Sequence, residues 1–373
     1  MSSPPVRRTG AADAGTLDAD AIEALAHRRL PAEALAYLES GSGRERTLAA
    51  NRDAWDRIAL RPRVLRDVTV VDPATQLLGT TVSMPVAIAP VGHQRLFHRA
   101  GEAATAAAAA ARDVLHVVST RCSVPLAQVA AAGGPFWFQV YVLRDRGLTR
   151  ELVAAAARLG ARALVLTADT PVPGTKRRCP DLVIPDAMLF ANLPDVAASG
   201  DPQRWDRISQ AADVTPGTIA WLAEQSGLPV VVKGVLHPDD ARTAVAAGAR
   251  AVVVSNHGGR QLDGAVASCL ALPGVVEAVG DTAEVLVDGG IVTGVDVVRA
   301  LAQGARAVLV GRPAILGLAA DGAAGVGRVL DRYRTELVEA MRLAGADRPG
   351  AIGRDLLAPA AGQAVQDAPG GTR

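Results

Sequence analysis

Short apolar runs rich in β-branched residues recur along the chain at 84–90, 114–119, 136–141, 163–167, 229–233, 251–255, 284–288 and 307–311. Uninterrupted runs of this kind suit parallel strands buried on both faces. Alanine-rich stretches with helical character lie between them, typically 101–112, 148–159, 238–247 and 294–303. Several of these stop at Gly-Ala (Gly160, Gly248, Gly304), the glycine stop expected before the chain re-enters a strand. Eight βα units predict a closed (β/α)8 barrel rather than an open sheet.

Two regions depart from the repeat. Helical patterns near 20–27 and 31–39 precede the first run and predict a helical extension that caps the barrel or packs beside it. After the fourth run, Asp169 and Pro229 are separated by about sixty residues, far beyond the usual connection of roughly 2–6. Its middle, 192–216, is rich in Pro, Gly and Asp. It reads equally as a lid over a site or as a disordered surface excursion.

Composition narrows the class. With 373 residues, 49% of them hydrophobic, the chain can bury a large core. Its formal charge of +1, with both signs scattered, offers no footprint for nucleic acid or an anionic membrane. Three isolated cysteines make neither a zinc site nor a disulfide framework, so no metal is expected and a reducing cytoplasm fits. The alanine run at 106–111 is too short to span a bilayer. Residues 1–15 lack the apolar centre of a signal peptide and read as a disordered leader, 16–358 as one barrel domain, and 359–373 as a disordered tail.

Barrel enzymes carry their sites at the carboxyl ends of the strands. Those ends are polar here: Ser119-Thr120-Arg121, Gln139 and Tyr141, Thr167 and Asp169, Lys233, Ser255-Asn256-His257 with Arg260, and Asp288-Gly289-Gly290. Buried strands have no structural need for such residues. The loops after the seventh and eighth runs, Asp288-Gly289-Gly290 and Gly311-Arg312, suit a phosphate, because glycine admits it to backbone N–H groups and arginine pairs with it. No GxGxxG follows the first strand, which argues against a Rossmann dinucleotide site.

The segment SNHGGRQLDG, 255–264, resembles the signature of the FMN-dependent 2-hydroxy acid oxidases and dehydrogenases, which include glycolate, lactate and hydroxymandelate oxidases. The likeness runs from about Leu30 to Gly345 through ESGSGRERTLAANR, MPVAIAP, FWFQVY, LTADTP, VVKGV, LVDGG and ALAQGARAVLVGRP. It implies FMN as cofactor and a small hydroxy acid as substrate. His257 matches the family's general base and Asp169 its hydrogen-bond partner. Tyr37 and Tyr141 match two pocket tyrosines, and Arg260 matches the arginine that holds the substrate carboxylate. Lys233 falls beside flavin N1 and O2, where a fixed cation stabilises the reduced ring. Ser119, Gln139, Thr167 and Ser255, with the backbone of Ala89, Pro90 and Val91, match the ring site. Asp288, Gly290, Gly311 and Arg312 match the ribityl-phosphate site. His27, His116 and His237 read as structural, and His93 and His98 remain open. A homo-oligomer, by analogy a tetramer, is implied as well.

Three positions depart from the family pattern. Lys176 stands where a second carboxylate-binding arginine belongs, and a lysine cannot reproduce the bidentate fork, though Arg177 lies adjacent. Val292 replaces a phosphate-binding arginine after Asp288-Gly289-Gly290. Arg121 occupies a variable pocket position, a large aromatic in glycolate oxidase. The stretch APVGHQRLFH is similar to hydroxymandelate oxidases and hints at an aryl substrate. Three functions are therefore expected in descending order. The first is oxidation of a 2-hydroxy acid to the 2-keto acid. The second is FMN chemistry on a larger specialised metabolite, motivated by Lys176 and Arg121. The third is a flavin-free binding protein, motivated by Val292 alone.

Overall fold

The computed structural model describes residues 19–179 and 182–358; the leader and tail expected from the sequence lie outside them. Three helices open the described chain: α1 (Ala19–Arg29), α2 (Ala32–Glu39) and α3 (Arg46–Asp56). A two-stranded antiparallel hairpin follows, β1 (Thr75–Leu77) with β2 (Thr80–Val82). The next eight strands are β3 (Val86–Ile88), β4 (His116–Val118), β5 (Phe136–Val140), β6 (Leu164–Thr167), β7 (Val230–Val235), β8 (Ala251–Val254), β9 (Glu284–Asp288) and β10 (Ala307–Val310). All eight pair in parallel and in sequence order, and β10 closes on β3 with Val308 opposite Val86. The (β/α)8 barrel expected from eight apolar runs is the architecture found.

The strands read as continuous apolar runs because both faces are covered. Leu115, Val117, Trp137, Val165, Val231, Val253, Leu286 and Leu309 fill the barrel interior, while Ile88, Val118, Phe138, Leu164, Val252 and Val287 pack outward beneath the helices. Leu77 and Val82 of the hairpin join the inner cluster and plug its amino-terminal end. Each such side chain contributes about 1.5–3 kcal/mol by leaving water. With that end sealed by apolar contact, the carboxyl ends are left to carry polar chemistry.

The helix Arg312–Ala344 is apolar and long enough to cross a membrane by composition. Its backbone breaks at Asp321 and Gly322, and Ile315, Leu318, Val326, Leu330 and Leu337 bury its apolar side within the core. It is a core element of the barrel.

The long connection after β6 forms short helices at Asp186–Leu189, Pro194–Ala198 and Arg204–Arg207, then Gly217–Ser226. Phe190, Leu193, Val196, Ile208 and Ala211 are buried against the main core, and Asp145 ties to Arg207 at 2.8 Å. The disordered excursion allowed by composition is not found among the described residues. The stretch is a packed wall beside the strand ends.

Candidate active site

A cavity of about 880 Å³ opens at the carboxyl ends of the strands, within the usual range for cofactor and ligand pockets. Two buried polar chains form its floor. In the first, Ser119 Oγ donates to Gln139 Oε1 at 3.1 Å and Gln139 Nε2 donates to Thr167 Oγ1 at 3.0 Å. In the second, Lys233 Nζ donates to Ser255 Oγ at 2.8 Å and pairs with Asp288 at 2.9 Å. Burial opposes the charge on Lys233, yet Asp288 and Asp169 outweigh it and raise the pKa of the ammonium. Gln139 and Ser255 lie behind the cavity wall and orient the groups that reach it.

His257 follows β8, with its Nδ1 3.0 Å from Asp169 Oδ1 and its backbone N–H on Ser255 Oγ. His257 lines the cavity and Asp169 stands behind it, their side chains keeping 22% and 13% of their exposure. Although burial opposes ionisation of Asp169, the His257 imidazole and the Lys233 ammonium hold its carboxyl below the usual range. Asp169 therefore stays anionic at neutral pH and fixes the ring, and Nε2 is left to accept a proton. His257 itself has φ +59, a left-handed conformation rare for residues with a Cβ. The following turn requires glycine: a Cβ on Gly259, at φ +74, would lie 2.6 Å from Leu48 N.

Helix α3 braces both loops. Asn51 and Asn256 exchange amide hydrogen bonds at 2.9 and 2.7 Å. Trp55 Nε1 donates to Gly289 O at 2.8 Å, and Arg52 donates to Gly290 O while pairing with Asp296. Sequence reading missed these braces, since their partners lie some two hundred positions away. It also missed Gln261, whose amide donates to Asp169 O and accepts from Gly174 N.

The cations divide into paired and unpaired. Arg260 donates to the carbonyls of Tyr37 and Ser40 and lies 4.9 Å over the Tyr37 ring. Tyr37 and Tyr141 both line the cavity, and burial, reinforced by Asp169, pushes the Tyr141 phenol up so that it stays protonated. Lys176 reaches the wall, where burial and then Arg260 lower its pKa. Arg177, the adjacent candidate for the second carboxylate arginine, is exposed and absent from the wall. Arg121 faces inward and donates to Ile208 O at 2.7 Å. His93 lines the cavity, whereas His98 packs against Gly322. Among the described residues Arg121, Lys176, Arg260 and Arg312 have no carboxylate within ion-pair distance.

These residues fit a flavin mononucleotide. Among the described residues Asp288 Oδ1 is buried without a donor, which a ribityl hydroxyl would supply. Arg312, which among the described residues donates only to the carbonyls of Leu38, Ser40 and Gly258, is pushed down to about 10 by burial and by Arg260, and a phosphate would relieve that. The backbone of Ala89, Pro90 and Val91 lines one side, and Gly290 and Gly311 line the phosphate end.

A flavin-binding barrel oxidoreductase is the class that this fold and site define. The chain belongs to the FMN-dependent dehydrogenase family, whose model matches residues 26–359. It is 46% identical to an L-lactate oxidase of Nostoc sp. over 87% of this chain and 93% of that protein. It is 44% identical to the 4-hydroxymandelate oxidase of Amycolatopsis orientalis, over 89% and 96% respectively. Solved structures of a mandelate oxidase with benzoyl-formic acid and with (S)-2-phenylpropionate superpose with a TM-score of 0.84 at 42% identity, covering 91% of this chain and 97% of theirs. FMN is the family's cofactor, and the resemblance carried by SNHGGRQLDG is the one found.

Proposed function

We propose that this protein oxidises a 2-hydroxy acid to the corresponding 2-keto acid. The observation that carries this reading is the His257–Asp169 pair at 3.0 Å, whose imidazole lines one cavity with Lys233, Tyr141 and Arg260. Bound FMN would supply the acceptor for the two electrons and for the second hydrogen that the substrate loses. Arg260 and Lys176 bind the substrate carboxylate, and Tyr37 and Tyr141 donate to its oxygens. His257 Nε2 takes one substrate proton, and the imidazolium that results is stabilised by Asp169. Lys233, a permanent buried cation, opposes the negative charge that accumulates as two electrons leave the substrate. The presence of all of these groups favours intact chemistry over a flavin-free binding role. A larger substrate on the same chemistry is favoured only by Arg121 and Lys176.

The test is the visible spectrum of FMN-reconstituted protein during anaerobic addition of lactate, mandelate and glycolate. Bleaching by any of them supports the reading, and recovery in air identifies oxygen as an acceptor. A bound flavin that no 2-hydroxy acid bleaches overturns it. Self-association belongs to the same reading: Val64, Leu65 and Val70 stand 78%, 101% and 79% exposed on one segment, apolar surface that a second copy would cover. Three free cysteines agree with a cytoplasmic location.

A further inference from the structure

Once FMN and a simple hydroxy acid are placed, the cavity retains one cation too many. A phosphate answers Arg312, and one carboxylate answers Arg260 and Lys176. Arg121 remains, on the loop after β4. Among the described residues its side chain makes one hydrogen bond, to Ile208 O through Nη2, while a guanidinium has five N–H groups to satisfy. His93 stands beside it, its backbone N–H on Arg121 O at 2.9 Å. The His93 ring is 6% exposed, and its Nδ1 is buried without a partner. Leu189, Trp205 and Ile208 line the adjoining wall. Within electrostatic reach of Tyr141 and Tyr37, this part of the pocket thus joins an apolar rim to a cation and an imidazole with an unsatisfied nitrogen.

We infer that Arg121, assisted by His93, forms a distal anion subsite, so that the substrate is a 2-hydroxy acid whose side chain carries a second carboxylate. This rests on the function proposed above and names its substrate class. The α-carboxylate lies on Arg260 and Lys176, the apolar part of the side chain lies against Leu189 and Ile208, and the terminal carboxylate accepts from the free guanidinium N–H groups. His93 donates to the same group from its one protonated ring nitrogen without adding charge, since burial and then Arg121 hold its pKa down, at about 4.

The experiment uses the full-length, FMN-loaded protein and pairs of substrates that differ by one carboxylate: 2-hydroxybutyrate with 2-hydroxyglutarate, and mandelate with 4-carboxymandelate. Second-order rates of anaerobic flavin reduction give the preference within each pair. Perturbation of the flavin spectrum gives dissociation constants for 2-oxobutyrate and 2-oxoglutarate without turnover. The dicarboxylates are expected to win by about 10- to 100-fold in both readouts, the worth of one charge-assisted hydrogen bond. In Arg121→Leu the preference collapses to within about threefold, and Arg121→Lys restores part of it.

Equal or reversed preference in the wild type overturns the inference and leaves the oxidase reading standing. So does an Arg121→Leu variant that slows both members of a pair equally, which makes Arg121 only a tie for the Ile208 segment. Should that variant fail to fold, the wild-type preference and the keto-acid binding still decide. Failure of every hydroxy acid to bleach the flavin removes both readings together.

Discussion

Replacing Gly234 by alanine should disable the catalytic base from a position that touches neither substrate nor flavin. Gly234 lies in β7 at φ +105, where the register with β8 slips between Lys233 and Val235. An added Cβ would sit 2.5 Å from Asp169 Cβ, 2.6 Å from its Cγ and 3.0 Å from its backbone N. Real Cβ atoms do not approach so closely, so Asp169 must move, and its 3.0 Å bond to His257 Nδ1 goes with it. The backbone conformation costs roughly 1–3 kcal/mol with a Cβ present, and overpacking costs a similar amount. Stability should fall by about 2–6 kcal/mol in total. A catalytic group misplaced by an ångström costs about 100-fold, and loss of the orienting carboxylate approaches 10⁴-fold. Gly234→Ala should therefore reduce its flavin about 100-fold more slowly at saturating substrate, with Asp169→Asn as the ceiling. The assay is anaerobic stopped-flow reduction, corrected for FMN content and accompanied by thermal unfolding. A folded Gly234→Ala protein that reduces flavin at the wild-type rate would refute the steric argument.

Three further outcomes are expected. Val292→Arg restores a cation to the phosphate end and should tighten FMN binding by about 10- to 100-fold; an unchanged dissociation constant in a fluorescence titration of the apoprotein would show that Val292 costs nothing. Lys233→Met leaves Asp288 buried without its cation and should cost about 3–5 kcal/mol. Adding Asp288→Asn should return most of that stability while flavin reduction stays slow, and recovery of both would deny Lys233 its role in the reaction. His116 is 1% exposed with both ring nitrogens unpartnered, and burial holds its pKa at about 4, against an ordinary value of 6.5. The unfolded chain takes up this proton below pH 6.5, whereas the native fold refuses it until about pH 4. Between those values His116 should therefore remove about 1.4 kcal/mol of stability for each unit of acidification. His116→Leu should flatten denaturation midpoints over that window, and a slope equal to the wild type would place the acid sensitivity elsewhere.

What the sequence disclosed follows from where each residue's partners lie. A strand buried on both faces shows itself locally, so all eight barrel strands could be read from apolar runs. The hairpin could not, because only Leu77 and Val82 of its strand residues turn into the barrel. Helix α3 also escaped: it is held by Thr47, Asn51 and Arg52 bonding to distant loops as much as by Ala54 and Trp55, and so shows no apolar stripe. Site chemistry was legible where residue type alone announces it, as with His257 and Lys233. Direction was not. Lys176 and Arg177 are neighbours of the same charge, yet one lines the cavity and the other faces solvent. The inward turn of Arg121 depends on the Ile208 carbonyl, 87 residues away.

The same separation hides the electrostatics. A chain of net charge +1 shows nothing unusual when charges are counted along it. Folding sends acidic residues to partners such as Arg52, Arg144, Arg207 and Arg299, and leaves Arg121, Lys176, Arg260 and Arg312 around one cavity without any among the described residues. Four like charges at a shared low-dielectric wall repel one another. Their convergence is tolerable only because each is held by backbone carbonyls or an aromatic face until an anion arrives: Arg260 and Arg312 share the end of α2, Lys176 leans on Gly174 O, and Arg121 leans on Ile208 O. Each anionic group on the ligands relieves one part of that repulsion. Affinity in this pocket should therefore rise with the number of anions a substrate presents, and an aryl group is accommodated only in so far as it leaves Arg121 something to hold.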